Sequence, residues 1–201
     1  MLLIGDVHGK IAQYKKIVLE SGEKESIQLG DMGFDYSELE DFPLHTGANH
    51  MFFFGNHDNP NAKSYHRLSR FGYYKCIHQD LDLFYIGGAD SIDKQFRIEG
   101  LSWWKEEELN YSEAQECLDQ YAIYFGEEEQ EKTMVLSHDC PQFLANGLLG
   151  YHPSYTRKLL DGIWHIQKPR LWVFGHHHKH IDITIEGCRF VCLNELETMV
   201  I

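Results

Sequence analysis

The sequence predicts a mixed α/β (α+β) protein, and two observations support this fold class. Five short apolar runs, each bounded by a turn residue, are typical of buried strands. Between them lie segments whose apolar residues recur at helical spacing. Strands that alternate with helices along a chain are expected to pack as layers of sheet and helix.

Each apolar run leads through one small residue to a side chain that can bind a metal ion. The five junctions are Ile4-Gly5-Asp6, Leu29-Gly30-Asp31, Phe54-Gly55-Asn56, Leu136-Ser137-His138 and Phe174-Gly175-His176. A small residue lets the backbone turn tightly. Sites in α/β folds collect beyond the carboxyl ends of strands, so we expect these five side chains to converge on one spot.

Two helices are predicted from spacing and from a stop signal. Ile11, Tyr14 and Val18 lie at helical spacing near the start of the chain. Residues 154–167 form another helical segment, which Pro169 should stop.

A third helix and a hairpin follow from capping and turn residues. Ser112 with Gln115 matches a capping box and predicts a helix start. The apolar face of that helix would consist of Ala114, Cys117, Leu118, Tyr121 and Phe125. Residues 181–185 and 189–193, on either side of Glu186-Gly187, predict a β-hairpin.

Length and composition favour a single domain that spans residues 1–201. The chain has 201 residues, of which 43% are hydrophobic and 24% charged, as in ordinary globular proteins. We expect neither a membrane span nor a signal peptide, because the apolar runs are too short. The net charge of −13 argues against a broad nucleic-acid-binding surface. An anionic substrate is still compatible, since bound divalent cations would reverse the local field.

The cysteines indicate a reducing compartment. There are five of them, an odd number, and no Cys-x-x-Cys pair occurs. We therefore predict reduced thiols and a cytoplasmic location. Cys188 and Cys192 could pair on a metal ion, but they lie in an alternating strand pattern that favours core or surface thiols.

The side chains after the strands have the chemistry of a transition-metal site. The seven candidate ligands are Asp6, His8, Asp31, Asn56, His138, His176 and His178. Mixed carboxylate and imidazole ligands suit manganese, iron, zinc, nickel or cobalt, whereas calcium and magnesium take oxygen ligands. Seven ligands are too many for one tetrahedral ion and suit two ions that share a carboxylate.

Five motifs in this chain resemble those of the calcineurin-like metallophosphoesterase superfamily, and they occur in the same order. They are "GDVHG" at 5–9, "GDMG" at 30–33, "GNHD" at 55–58, "SHD" at 137–139 and "GHHH" at 175–178. Each motif alone is weak, but the ordered set is specific. The resemblance implies a two-sheet β-sandwich flanked by helices.

The resemblance also implies a role for each matching residue. One ion would be held by Asp6, His8 and His178, and the other by Asn56, His138 and His176, with Asp31 as the bridge. His57 would face the substrate and, if protonated, donate to the leaving oxygen. A carboxylate would favour that imidazolium, and Asp58 and Asp35 are the nearest candidates in sequence, although either could equally be a turn residue. In an extended turn, His176 and His178 would reach one ion each, while His177 points away. A solvent-facing or packed role is favoured for His177, with substrate contact as the alternative.

The activity implied by the resemblance is metal-dependent hydrolysis of a phosphate ester. A hydroxide that bridges two divalent ions, with manganese favoured, would attack phosphorus. A phosphomonoesterase is favoured, with a nucleotide or cyclic-nucleotide phosphodiesterase as the alternative and a non-catalytic phosphate-binding scaffold as a distant one. The stretch "GDMGFDYSE" lacks the arginine that protein serine/threonine phosphatases place after this motif, which argues against that branch.

The segment "GGADSIDKQFRIEGLSWW" at 87–104 is the other unusual stretch. Arg97 is a candidate ligand for the substrate phosphate, and a tryptophan could contact a base or apolar group. The alternative is a structural loop with a surface ion pair and tryptophans that anchor it to the core.

Overall fold

The computed structural model describes residues 1–40, 42, 49–62, 71–76, 81–127, 130–148, 150 and 152–201. The strands are β1 (Leu2–Ile4), β2 (Glu25–Gln28), β3 (Asn49–Phe52), β4 (Phe71–Cys76), β5 (Leu81–Ile86), β6 (Thr133–Ser137), β7 (Leu171–Phe174), β8 (Ile181–Ile185), β9 (Cys188–Cys192) and β10 (Thr198–Val200). The helices are α1 (Ile11–Ser21), α2 (Ser37–Glu40), α3 (Tyr111–Phe125), α4 (Gln142–Leu148) and α5 (Tyr155–Ile166). None of the described helices is long and apolar enough to span a membrane.

The strands form two mixed sheets. The first has the order β10-β1-β2-β3, and β10 is its antiparallel edge. The second has the order β4-β5-β6-β7-β9-β8, with a parallel centre and antiparallel edges at β4 and β8. Because β1, β2 and β3 are parallel to one another, as are β6 and β7, their carboxyl ends lie together within each sheet.

Apolar side chains fill the space between the sheets and on both outer faces. Leu3 and Ile27 of the first sheet belong to one buried cluster with Met134 and Val173 of the second. The outer face of the first sheet packs on α1, and that of the second packs on α3, α4 and α5. The layers therefore run helix, sheet, sheet, helix, which confirms the predicted two-sheet sandwich flanked by helices.

The predicted helices form, with one corrected boundary. Ile11, Tyr14 and Val18 are the buried residues of α1, as their spacing predicts. The predicted start of α3 was wrong. Its N-cap is Asn110 rather than Ser112, and Glu113 completes the capping box. Asparagine accepts the free backbone N–H groups of a helix start well, and its side chain bonds the N–H groups of Ser112 and Glu113.

Candidate metal centre

The candidate ligands come from both sheets and meet at their carboxyl ends. Asp6 and His8 follow β1, Asp31 follows β2, Asn56 follows β3, His138 follows β6, and His176 and His178 follow β7. The structure groups their donor atoms into two clusters.

Asp6, His8 and His178 form the first cluster, with donor atoms within 4.8 Å of one another. Asp6 Oδ2 lies 3.2 Å from His178 Nε2 and 3.7 Å from His8 Nε2. The two imidazole nitrogens are 2.8 Å apart. Three donors that face one point in this way could hold one cation.

Asp31, His138 and His176 form the second cluster. Asp31 Oδ1 lies 3.3 Å from His138 Nε2. Asn56 Oδ1 lies 3.1 Å from the same nitrogen, so the amide oxygen also faces this cluster. His138 Nδ1 lies 2.8 Å from the carbonyl oxygen of Leu29. In neutral His138 that bond places the lone pair on Nε2, which points at the cluster.

The Asp31 carboxylate lies between the two clusters. Its Oδ1 faces His138 of the second cluster, while its Oδ2 lies 3.8 Å from His8 Nε2 of the first. One carboxylate thus offers an oxygen to each cluster. The donor set, with carboxylate and imidazole on both sides, fits two transition-metal ions.

The charge state of the buried carboxylates also suits cations. Asp6 and Asp31 are almost fully buried. Burial raises the pKa of both, but neighbouring imidazoles reverse the effect, so the pKa of Asp6 is lowered strongly and that of Asp31 falls to about 2. Burial lowers the pKa of His176 to about 4. His176 is therefore neutral near pH 7, which is the form that binds a metal ion.

Several of these residues have a left-handed backbone, which glycine adopts more readily than any other residue. The φ angles are 49° for His8, 58° for Asp31, 67° for His176 and 49° for His178. The predicted extended turn was therefore wrong, because His176 and His178 bend the chain at alternate positions just past β7. They still face different clusters, as predicted.

The small residues before the ligands are needed mainly for close packing. Gly30 has a φ of 97°, as a tight turn requires. A side-chain carbon on Gly55 would lie 2.1 Å from Asp31 Oδ1, and one on Gly175 would lie 2.3 Å from Asp6 Oδ1. Neither of these two has a positive φ. Their role is to leave room for the ligand carboxylates rather than to turn the chain.

Asp58 organises the loops around the Asp31 carboxylate. It is buried and accepts hydrogen bonds from the backbone N–H groups of Asp31 (2.7 Å), Gly33 (3.0 Å) and Gly55 (2.7 Å) and from the Tyr36 hydroxyl (3.0 Å). Burial, followed by the charge of Asp31, raises the pKa of Asp58 to about 6. This carboxylate faces backbone amides, so Asp58 has the turn-residue role that the sequence left open and is not the partner of His57.

Asp35 does not pair with His57 either. Its side chain accepts a hydrogen bond of 2.9 Å from the Ser37 backbone N–H at the start of α2. This is the turn-residue role that sequence analysis of an Asp before a short helix also permits.

His57 faces Arg97 instead of a carboxylate. Its backbone N–H donates to Asp31 Oδ1 at 2.7 Å, which places the ring beside the second cluster. The terminal guanidinium nitrogens of Arg97 lie 2.9 Å and 2.7 Å from the two ring nitrogens. Burial is the largest cause that lowers the pKa of His57, and the Arg97 charge adds to it. A guanidinium only donates, so this contact favours the neutral ring.

The segment at 87–104 has the two structural features that its sequence suggested, an ion pair and an anchoring tryptophan. Asp93 holds the Arg97 guanidinium through two oxygens, at 2.8 Å and 2.9 Å. Trp104 is buried and lies 5.5 Å from the ring of Phe34, so it anchors the segment. The ion pair and the anchor are structural, and together they place Arg97 against His57.

His177 packs beside the site and contacts a buried ion pair. Its Nε2 lies 3.0 Å from Asp139 Oδ1. Asp139 Oδ2 accepts from Arg157 Nε at 2.7 Å, and both side chains are buried. Asp139, His176 and His177 could also hold an ion by distance, but Arg157 already neutralises this carboxylate.

An open cavity of about 410 Å³ lies over the second cluster. Its walls include Asn56, His57, Asp93, Arg157 and His177. A cavity of this size can hold a small phosphorylated molecule next to the clustered ligands.

The sequence did not predict which carboxylates and which hydroxyl support the candidate ligands. Asp58, Ser91, Glu107 and Asp139 are buried polar residues that bond the ligand-bearing loops or the ligands themselves. Asp58 and Asp139 directly follow motif histidines, and that adjacency was the available signal. Ser91 and Glu107 carried no comparable signal.

A model of the calcineurin-like phosphoesterase family matches residues 1–180. No curated protein matches the chain in a sequence search.

Solved structures with the same fold include three with TM-scores of at least 0.50. A provisionally assigned 5'-nucleotidase from Staphylococcus aureus has a TM-score of 0.57 at 15% identity, over 98% of this chain and 48% of that one. A dimetal phosphatase from Danio rerio has a TM-score of 0.54 at 10% identity, over 98% of this chain and 88% of that one. GAP50 of Plasmodium, described as the anchor in the inner membrane complex, has a TM-score of 0.50 at 11% identity, over 100% and 77%.

The present chain spans about half the length of the Staphylococcus structure (48%). At such low identities the likeness shows the fold alone. The family model, in contrast, covers all five motifs and most of the chain. The chain belongs to the calcineurin-like phosphoesterase family, which is a family of phosphoester hydrolases.

Proposed function

We propose that this protein hydrolyses phosphate monoesters at a centre of two divalent metal ions. The observation that carries the proposal is the position of the Asp31 carboxylate, with one oxygen toward each histidine cluster. Asp6, His8 and His178 would hold one ion, and Asn56, His138 and His176 the other. Manganese is the proposed metal, since the donors are carboxylate, amide and imidazole groups.

The ions, when bound, would supply Lewis-acid chemistry and a water acidic enough to act as a nucleophile near neutral pH. The chain's own contribution is to position and neutralise the substrate. His57 lies beside the second cluster, held by its backbone bond to Asp31. Both ring nitrogens face the Arg97 guanidinium. If the substrate phosphate draws the guanidinium away from the protonated nitrogen, the neutral ring would donate that N–H to a phosphoryl or leaving-group oxygen, rather than act as the imidazolium that the sequence suggested.

Arg97 supports the preference for a monoester. Its guanidinium lies against His57 and is oriented by Asp93. A phosphate monoester dianion carries one more negative charge than a diester, and a guanidinium binds two phosphate oxygens well. The Arg97 guanidinium would add a positive charge to that of the metal ions, and this charge would stabilise the monoester dianion more than the diester.

A nucleotide phosphodiesterase is the second candidate, and Phe34 offers a ring on which the base of a nucleotide could stack. Its ring is 42% exposed and lies 6.3 Å from the His57 ring, nearly parallel at 26°. A small cavity lined by His8, Phe34 and His57 opens at this point. A base could stack there while its phosphate meets the metal ions.

A cytoplasmic location remains part of the proposal. The four cysteines whose side chains the structure describes are unpaired and buried. Burial raises the pKa of Cys188 and Cys192 to about 12, so both are neutral thiols of the core rather than metal ligands. Unpaired thiols of this kind suit a reducing compartment.

The experiment compares hydrolysis of p-nitrophenyl phosphate with that of bis(p-nitrophenyl) phosphate. Each is measured with manganese, with chelator and with the Asp31→Asn protein. Faster turnover of the monoester supports the proposal, and faster turnover of the diester favours the phosphodiesterase. If neither ester is hydrolysed while two manganese ions are bound, the protein is a phosphate-binding scaffold.

We expect His57→Ala to bind two manganese ions normally and to lose at least about 10²-fold in kcat, because one preorganised donor is removed. Isothermal titration with manganese and steady-state kinetics measure the two effects. His165→Ala, at the end of α5 and away from both clusters, is the matched control. Loss of manganese binding with normal residual turnover would contradict the proposed role.

A further inference from the structure

A buried chain of hydrogen bonds connects Asn56 to Glu107. Asn56 Nδ2 donates to Ser91 Oγ at 2.9 Å. Ser91 Oγ donates to Glu107 Oε2 at 2.6 Å, and the Ser91 backbone N–H donates to Glu107 Oε1 at 2.9 Å. The exposed fractions of Asn56, Ser91 and Glu107 are 3%, 2% and 7%, so the protein itself supplies the partners of these groups.

The direction of these bonds follows from the chemistry of the three groups. Both oxygens of the Glu107 carboxylate are acceptors, so the single proton of the Ser91 hydroxyl must point toward Glu107. Ser91 Oγ can then only accept from Asn56. The Asn56 amide must present its NH₂ group to Ser91, and its oxygen turns toward His138.

We propose that Ser91 and Glu107 are positioning residues that turn the Asn56 amide oxygen, rather than its NH₂ group, toward the second metal ion. This inference rests on the proposed function, in which Asn56 ligates that ion. An asparagine side chain has an oxygen and a nitrogen of nearly equal size, and only the oxygen can ligate. With no fixed partner for the nitrogen, the amide would be free to place either group in the site.

The segment at 87–104, which carries Ser91, is hydrogen-bonded to the chain just after β3, close to Asn56. The Gly88 backbone N–H donates to the Phe54 carbonyl at 2.7 Å, and the Ala89 N–H donates to the Glu107 carbonyl at 3.2 Å. A side-chain carbon on Gly88 would lie 2.3 Å from that Glu107 carbonyl oxygen. These contacts hold Ser91 and Glu107 at a constant distance from Asn56.

Manganese titration of a double-mutant cycle tests the inference. In the native background, Ser91→Ala should weaken one of two manganese sites by about 10–100-fold, as is typical for partners of metal ligands. The other site should be unchanged. In an Asn56→Asp background the same substitution should change manganese binding less than about twofold, because a carboxylate has two equivalent oxygens and needs no orientation.

Two further variants separate positioning from general loss of structure. Glu107→Gln offers an NH₂ group where one acceptor stood, so it should reverse the Ser91 hydroxyl and weaken the same site. Ser102→Ala removes a hydroxyl of the same segment that accepts from the Ile98 backbone N–H and does not contact Asn56. It should leave manganese binding unchanged.

The outcomes are distinguishable. If the native protein binds two manganese ions and Ser91→Ala binds them equally well, the inference is overturned but the proposed function is not. An equal loss from Ser91→Ala in both backgrounds also overturns it, since a disturbed loop would not depend on the ligand type. A native protein that binds fewer than two ions overturns the proposed function and the inference with it.

Discussion

Asp31→Asn should abolish nearly all phosphoester hydrolysis and weaken the binding of both metal ions. The substitution keeps the size of the side chain but replaces one ligand oxygen with an NH₂ group, and Asp31 has one oxygen toward each cluster. Metal-ion stabilisation of the transition state is worth several kcal/mol. We therefore expect kcat/KM to fall by about 10³-fold or more.

Thermal melting with and without manganese measures the effect on binding. A ligand that binds only the folded state raises the Tm, so the native protein should be stabilised by excess manganese. The Asp31→Asn protein should lose most of that rise. Asp182→Asn, a change in a surface ion pair with Arg189, is the control and should keep it. A full manganese response in Asp31→Asn would refute the bridging role.

Asp58→Ala should produce the largest loss of fold stability among single substitutions near the site. It would leave three buried backbone N–H groups and the Tyr36 hydroxyl without the carboxylate that they bond. Each buried group left unsatisfied costs about 1–3 kcal/mol. We expect a loss of about 3–5 kcal/mol in the free energy of unfolding, measured by urea denaturation of the metal-free protein.

Two comparisons make the Asp58 result specific. Asp58→Asn keeps one acceptor oxygen and should lose less. Asp35→Ala removes an exposed carboxylate that bonds one backbone N–H, and it should cost far less. If Asp58→Ala were no more damaging than Asp35→Ala, the carboxylate would not organise the loops.

The order of layers and the convergence of the ligands could be predicted because both depend on local patterns. Apolar runs such as Met134–Leu136 identify buried strands, and parallel strands bring their carboxyl ends together. The residues that follow those strands therefore gather at one edge of each sheet, and the packing of the two sheets brings the two edges together. The resemblance of the motifs to those of the family then implied that His176 and His178 belong to different clusters, and the extended turn did not contribute, because both residues have a left-handed backbone.

The groups that support the ligands could not be predicted in the same way. Ser91 lies 35 residues from Asn56 along the chain, and Glu107 a further 16 residues beyond. Hydrogen bonds over such separations depend on how the loops dock, and no periodicity encodes that. The contact between Arg97 and His57 spans 40 residues and was missed for the same reason, although Arg97 itself was singled out.

At four candidate ligand positions, the backbone conformation that metal binding requires lowers the stability of the fold. A non-glycine residue held in that conformation costs about 1–3 kcal/mol, and His8, Asp31, His176 and His178 all adopt it. Glycine at any of these positions would relieve the backbone but would remove a metal donor. Selection for a firmer fold and selection for ion binding therefore favour different residues there. His178 is the most exposed of the four side chains, so glycine there would lose the fewest buried contacts. A screen for thermostability alone should therefore select glycine at His178 and yield an inactive protein.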